Sequence, residues 1–138
     1  MSLLDRVRDL LRRVPETELT PDTPGLSVVA EAFDAAEADS AVLARSHLWD
    51  QGKPAVLRHH LTLPADGIDE AARILAQDGW KLRTVSGSGE VRTVHALRVQ
   101  HLDALHCAQE RARMAGLAQR LGGDSLGWDA LQPVEART

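Results

Sequence analysis

The order of the elements predicted over residues 54–134 constrains the fold of this chain more than any other feature. Alternating apolar and polar residues mark four strands in this stretch, and apolar residues three or four positions apart mark two helices. In chain order the segments are strand 54–63, helix 67–78, strand 80–85, strand 90–99, helix 101–121 and strand 126–134. This βαββαβ order predicts an α+β fold of the ferredoxin-like type, a sandwich of one sheet and two helices.

The residue pattern also predicts which side chains face the helices. In the first strand one face holds Leu57, His59, Leu61 and Leu63, and the other holds Val56, Arg58, His60 and Thr62. On the last helix the expected inner face is Leu102, Leu105, Ala108, Ala112, Ala115 and Ala118. Asp66 is the expected N-cap of helix 67–78. Two glycines in Ser86–Gly89 predict a hairpin turn.

The sequence before the first of these strands divides into an N-terminal segment and the start of the domain. Residues 1–33 are expected to form the segment, with an amphipathic helix over 2–14 and a proline-containing linker over 15–25. Residues 26–33 fit either a short strand or the first turn of the next helix, and both alternatives stay open. The domain proper is expected to occupy residues 34–138.

A further helix is predicted over residues 34–50, where Asp34 and Glu37 have the spacing of a capping box. The helix predicted at the N-terminus is too short to be stable alone in water. We therefore expect that N-terminal helix to dock on this domain, on a second copy of the chain or on a partner.

Composition and charge exclude several classes of protein. The formal net charge is -4 and the strand aromatics are only Trp80 and Trp128, so we expect no direct nucleic-acid binding. No apolar run approaches the ~20 residues that a membrane-spanning helix needs, and we expect no membrane contact. A single cysteine, Cys107, suits a reducing cytoplasm. The preference for arginine over lysine indicates a bacterial source.

Six histidines raise the question of a metal site or a histidine-based enzyme. His59 and His95 are expected on neighbouring strands of one sheet face, with His60 next in sequence. A metal ion requires three or four ligands that converge at about 2 Å, and the sequence has no cysteine pair and no His-x-x-x-His on a helix. We therefore expect no catalytic residues, no metal and no cofactor. A protein that uses His59, His60 and His95 stays open as an alternative.

The chain resembles the ribonuclease E inhibitor family known as regulator of ribonuclease activity B (RraB). The likeness is carried by Arg58-His59-His60-Leu61, Ala72 to Trp80, Ala108-Gln109, Leu117-Ala118 and Gly127-Trp128, preceded by Trp49-Asp50-Gln51-Gly52. These motifs span residues 35–131. One motif departs from the family, because Ser125-Leu126 precedes Gly127-Trp128 where the family has Tyr-Asp.

This resemblance implies an RraB-like, ferredoxin-like domain over residues 34–138 and a regulatory protein that is not an enzyme. Such a protein inhibits ribonuclease E by protein–protein contact in the cytoplasm. We expect the partner surface to include His59, His60, Trp80 and Trp128. Two alternatives stay open: a self-associating protein such as a homodimer, and a metal-binding protein or enzyme that uses its histidines.

Overall fold

A computed structural model describes residues 18–134. The elements are β1 (Leu26–Ala32), α1 (Asp39–Arg45), β2 (Ala55–Pro64), α2 (Ile68–Ala76), β3 (Lys81–Ser86), β4 (Val91–Gln100), α3 (Ala104–Arg120) and β5 (Asp124–Pro133). One turn of 3₁₀ helix, Ala65–Gly67, leads into α2. The helix predicted over residues 2–14 lies outside the described residues.

The five strands form one antiparallel sheet in the order β1-β5-β2-β4-β3. β2 lies at its centre and pairs with β4 along its whole length, and β1 and β3 are the two edges. The predicted α+β class is therefore confirmed. Of the two alternatives for residues 26–33, the structure has the strand, which pairs with β5. Among residues 18–134, no helix is long and apolar enough to cross a membrane.

One face of the sheet, which we call the helix face, forms a single hydrophobic core with all three helices. The strands contribute Leu57, Leu61, Leu63, Val94, Ala96, Trp128 and Ala130. The helices contribute Val42, Leu43, Ala71, Leu75, Cys107, Met114, Leu117 and Ala118. Each fully buried leucine or methionine stabilises the fold by roughly 1.5–3 kcal/mol. The opposite side of the sheet, which we call the second face, is where Arg58, His60 and Thr62 of β2 lie.

The predicted alternation of β2 is confirmed. Leu57, His59 and Leu61 are each 0% exposed on the helix face, whereas Arg58 and His60 are half-buried on the second face. The hairpin turn between β3 and β4 is also confirmed, since β3 ends at Ser86 and β4 begins at Val91.

The predicted inner face of α3 is largely wrong. The helix residues that pack inward are Cys107, Met114, Leu117 and Ala118. The exposed residues include Leu105, Ala108, Ala112 and Ala115. Two ion pairs beside the inner face set the rotation of the helix: Glu110 binds Arg98 of β4, and Arg111 binds Asp39 of α1. The larger Met and Leu side chains also bury more apolar area than the alanine stripe does.

Two predicted helix caps are not formed. Asp34 accepts a hydrogen bond from the backbone N–H of Ala36 at 2.9 Å, which makes a local turn, and the helix begins only at Asp39. Glu37 binds the Arg45 guanidinium instead of the backbone of the predicted cap. Asp66 lies in the 3₁₀ turn, and no side chain caps α2. The acidic side chains predicted as caps therefore form other contacts: Asp34 closes a local turn, and Glu37 pairs with Arg45.

Gly127 and Trp128 join β5 to β1 and to the helices. Gly127 has φ +126°, and a Cβ atom there would lie 2.3 Å from the carbonyl oxygen of Ala32. The Trp128 side chain is 0% exposed, and its Nε1 donates to Asp39 Oδ1 at 3.0 Å. The same oxygen accepts from Arg111 Nη1 at 2.9 Å. The glycine thus permits the close approach of β1, and the tryptophan connects β5, α1 and α3.

We expect Gly127→Ala to lower the free energy of unfolding by about 2–4 kcal/mol, because the new Cβ meets backbone atoms at a positive φ. Gly116→Ala is the matched control, since Gly116 lies within α3 and a methyl group there would have no neighbour within 4 Å. Alanine at a helix interior should raise stability by about 0.5–1 kcal/mol. Urea titration followed by tryptophan fluorescence measures both. Equal effects of the two substitutions would contradict the close approach.

Candidate functional site

Three rings lie together on the second face, and we call Phe33, His60 and His95 the ring row. His60 of β2 is directly opposite His95 of β4, and His95 is opposite Arg83 of β3. The two imidazole centroids are 4.1 Å apart. Phe33, which follows the end of β1, meets His60 edge to face with 5.0 Å between centroids. The row crosses the sheet from the end of β1 to β4.

A buried carboxylate holds His60 in place. Asp129 of β5 is 4% exposed and accepts hydrogen bonds from His60 Nε2 at 2.9 Å and from Arg58 Nε at 2.8 Å. A second bond from Arg58 Nη2 is 2.5 Å long. Burial acts to raise the pKa of Asp129, but the hydrogen bonds from Arg58 and His60 outweigh it and lower the pKa. The carboxylate is therefore ionised at neutral pH and accepts the hydrogen bond from His60 Nε2.

His95 is neutral at neutral pH. Burial lowers its pKa to about 4, and the neighbouring His60 and Arg58 act in the same direction. Its ring therefore contacts His60 without placing a charge at the centre of the second face. The ring row can present aromatic surface and imidazole nitrogens to a partner.

The structure separates the three histidines of the metal-binding or enzymatic alternative. His59 lies in the core on the helix face, whereas His60 and His95 lie on the second face. The expectation that His59 and His95 share a face is wrong. In the register of β4 on β2, His95 is opposite His60 and Ala96 is opposite His59, and residues directly opposite each other lie on the same face. In the part of the chain from 18 to 134, no group of three or more His, Cys, Asp or Glu is placed to hold a metal ion.

Of the four residues predicted for the partner surface, only His60 lies on the second face. His59, Trp80 and Trp128 are buried, at 0%, 3% and 0% exposure. His59 meets Trp80 edge to face at 5.3 Å, and Arg98 lies 4.1 Å above the Trp80 ring. These three residues are therefore parts of the core in this structure.

Sequence reasoning missed Phe33 and Asp129. Phe33 was outside the predicted sandwich, and its contact with His60 depends on the pairing of β1 with β5. Asp129 had a signal in the sequence, because a charged residue between Trp128 and Ala130 in an apolar strand requires a buried partner. That signal identifies a charged cluster without naming Arg58 and His60 as its members.

Residues 18–25, which we call the crossing segment, run over the second face. Asp22 Oδ1 lies 3.3 Å from Arg83 Nη2 on β3, whereas Leu26 begins β1 at the opposite edge. Four inter-strand spacings, about 19 Å, separate these edges. Val56 and Leu97 point to this face and are only 1% and 3% exposed, as expected under a covering segment. Phe33 remains 47% exposed, so the segment leaves this end of the ring row accessible.

The chain was compared with models of known protein families, with curated proteins and with solved structures, and none of the three comparisons finds a match. The class that the fold defines is an α+β protein with an antiparallel sheet. The resemblance to the ribonuclease E inhibitor family stays a prediction.

The buried His59 predicts a loss of stability in acid. Burial, together with the charges of His60, Arg98 and Arg111, lowers its pKa to about 3, whereas an unfolded chain takes up the proton near pH 6.5. Between these values the unfolded state binds the proton and the folded state does not. The free energy of unfolding therefore falls with decreasing pH, by up to about 1.4 kcal/mol per pH unit.

We expect His59→Leu to make this slope shallower between pH 6.5 and 3.5, without loss of a hydrogen bond, since neither ring nitrogen has a partner within residues 18–134. His47→Leu is the control, because His47 is exposed. Urea unfolding at several pH values measures the slopes. Identical slopes for His59→Leu and the unmodified protein would disprove the assignment.

The pair of Arg58 and Asp129 predicts strong coupling between the two residues. Asp129→Asn leaves the Arg58 guanidinium, 25% exposed, without its counter-charge, and we expect a loss of about 3 kcal/mol. Arg58→Met should cost a similar amount, and the double variant Arg58→Met/Asp129→Asn should lose less stability than the sum of the two single variants. A double-mutant cycle on unfolding free energies measures the coupling, which we expect to be about 1–3 kcal/mol. Additive effects would refute the pair's role.

Proposed function

We propose that this chain is an RraB-like binding protein without catalytic activity of its own, which inhibits ribonuclease E by protein–protein contact in the bacterial cytoplasm. The ferredoxin-like part of the proposal is supported by the strand order β5-β2-β4-β3, with α2 between β2 and β3 and α3 between β4 and β5. This is the connectivity of two interlocked split βαβ units. β1 is then an added edge strand. The choice of ribonuclease E as partner rests on the sequence resemblance.

The ring row is the single observation that carries the binding proposal. Aromatic residues contribute a large share of the binding energy at protein interfaces. Here the His60 ring is fixed by Asp129 and lies between Phe33 and His95, so little side-chain entropy is lost when a partner binds. The exposed ring of Phe33 supplies apolar area, and the imidazoles supply hydrogen-bonding groups beside it.

The free ring nitrogens suit a polar contact with a partner. Within the described chain, the hydrogen bond of His60 uses Nε2 only. Its Nδ1 can form a hydrogen bond with a polar group of the partner, and the neutral His95 ring offers one donor and one acceptor. An apolar ring with oriented polar groups next to it is the mixed composition that interface cores have.

We expect Phe33→Ser to weaken retention of ribonuclease E by about tenfold or more, since it removes the exposed ring of the row. The measurement is a pull-down with ribonuclease E from the same cell, with circular dichroism to verify folding. Leu48→Ser is the control, because Leu48 is 62% exposed in the loop after α1. If the unmodified protein retains no ribonuclease E where a known family member retains its own, the partner is wrong. If Phe33→Ser binds normally, the surface is wrong.

A further inference from the structure

The two edges of the sheet are protected to different degrees. On β1 the register shifts between Val28 and Ala30, and Arg45 Nη2 donates to the backbone carbonyl of Glu31 at 2.8 Å. Arg45 is itself held by Glu37. An irregular register and an occupied carbonyl are features that hinder pairing with another chain. The β1 edge is therefore poorly suited to accept a further strand.

The β3 edge has an irregular register only at its end, between Thr84 and Ser86. Lys81 to Thr84 pair with β4 in regular register, and five of the six β3 residues are exposed. Within residues 18–134, no backbone hydrogen bond reaches β3 apart from its pairing with β4. In an antiparallel pair every second residue turns its N–H and C=O groups away from the neighbour. β3 thus presents a row of free donors and acceptors to an incoming strand.

The side chains at this edge carry positive charge in an otherwise acidic protein. Lys81 is opposite Leu97 and Arg83 is opposite His95, so both point to the second face. The whole chain has a net charge of -4. Asp22 of the crossing segment already places a carboxylate 3.3 Å from Arg83, and both side chains are well exposed, at 74% and 42%. Exposed pairs of this kind contribute little to stability, so another carboxylate can replace Asp22.

We propose that the β3 edge binds an extended acidic segment of a protein partner by strand addition. The added strand pairs with the backbone of the regular part of β3, from Lys81 to Thr84, and its alternate acidic side chains meet Lys81 and Arg83 on the second face. This inference rests on the proposed binding function and names the chemistry of the partner. Asp22 is a competitor from the chain itself.

Charge disfavours a second copy of this chain as the occupant. Two β3 strands paired antiparallel about residue 82 set Lys81 opposite Arg83, and pairing about residue 83 sets Arg83 opposite its own copy. Like charges directly opposite each other destabilise a strand pair. An acidic segment replaces this repulsion by attraction.

A labelled peptide tests the inference directly. The probe is a capped, fluorescein-labelled Val-Glu repeat of eight residues, measured by fluorescence anisotropy on the full chain. One control peptide is the Val-Lys repeat, and another is the Val-Glu repeat with alternate backbone nitrogens methylated. We expect the Val-Glu peptide to bind at least about tenfold more tightly than either control, because binding requires both the charges and the strand hydrogen bonds.

Matched variants locate the site. The variant Lys81→Glu/Arg83→Glu should bind the Val-Glu peptide at least about tenfold more weakly than the unmodified protein does. The control Lys53→Glu/Arg120→Glu changes the net charge by the same amount and should leave binding nearly unchanged. Asp22→Asn should tighten binding by about two- to fivefold, since it removes the internal competitor. Amide hydrogen exchange should show new protection in β3.

Several outcomes would overturn the inference: no peptide binding, equal binding of the methylated peptide, equal losses in both double variants, or a dimer formed through β3. Retention of ribonuclease E by Lys81→Glu/Arg83→Glu would reject the edge as the ribonuclease site and leave the proposed partner intact. Peptide binding without retention of ribonuclease E would support the edge and reject that partner.

Discussion

The alternation of β2 governs the chemistry on both sides of the sheet. This strand is central and pairs with β4 over ten residues and with β5 on its other side. The pairing therefore determines which residues of β4 and β5 lie on each face of the sheet. His59 thereby lies beside Ala96 and Trp128 in the core, and His60 lies beside His95 on the second face. A register slip of one residue would exchange these environments, and it would bury Arg58 while exposing a leucine. The burial of Leu57, Leu61 and Leu63 holds the register in place.

Asp129 shows how one buried charge organises a surface. A carboxylate in this position requires compensation, and Arg58 supplies it through two hydrogen bonds while His60 supplies a third. Such a pair adds little net stability compared with apolar residues of similar size, but it fixes geometry. Because Arg58 is neutralised by this pairing, the other cationic side chains that the strands direct to the second face are Lys81 and Arg83 at the β3 edge. The buried pair therefore separates the second face into an aromatic centre and a basic edge.

The sequence pattern was sufficient where one face of an element is apolar and the other is polar. This holds for β2, and the turn at Ser86–Gly89 was equally clear. It failed for α3, because that helix has two sets of apolar residues with helical spacing. One set is Leu105 with the alanines, and the other is Cys107, Met114 and Leu117. Ion pairs with residues distant in sequence determine which set faces the core. β4 has apolar residues in both phases, so the face of His95 was not fixed by its own strand. The contact of Phe33 with His60 depends on pairing between strands far apart in sequence, which periodicity does not reveal.

The ring row and the β3 edge form one continuous surface. Phe33, His60, His95 and Arg83 follow one another across the sheet, and a strand added beside β3 would extend that series by one position at the spacing of about 4.8 Å between neighbouring strands. The crossing segment reaches this surface at Arg83 and then turns towards β1, where Leu26 begins the other edge. A partner strand at β3 would therefore meet Asp22 before it meets the rings. Displacement of this weak ion pair opens Arg83 to the partner, and the neutral imidazole of His95 is the next side chain inward.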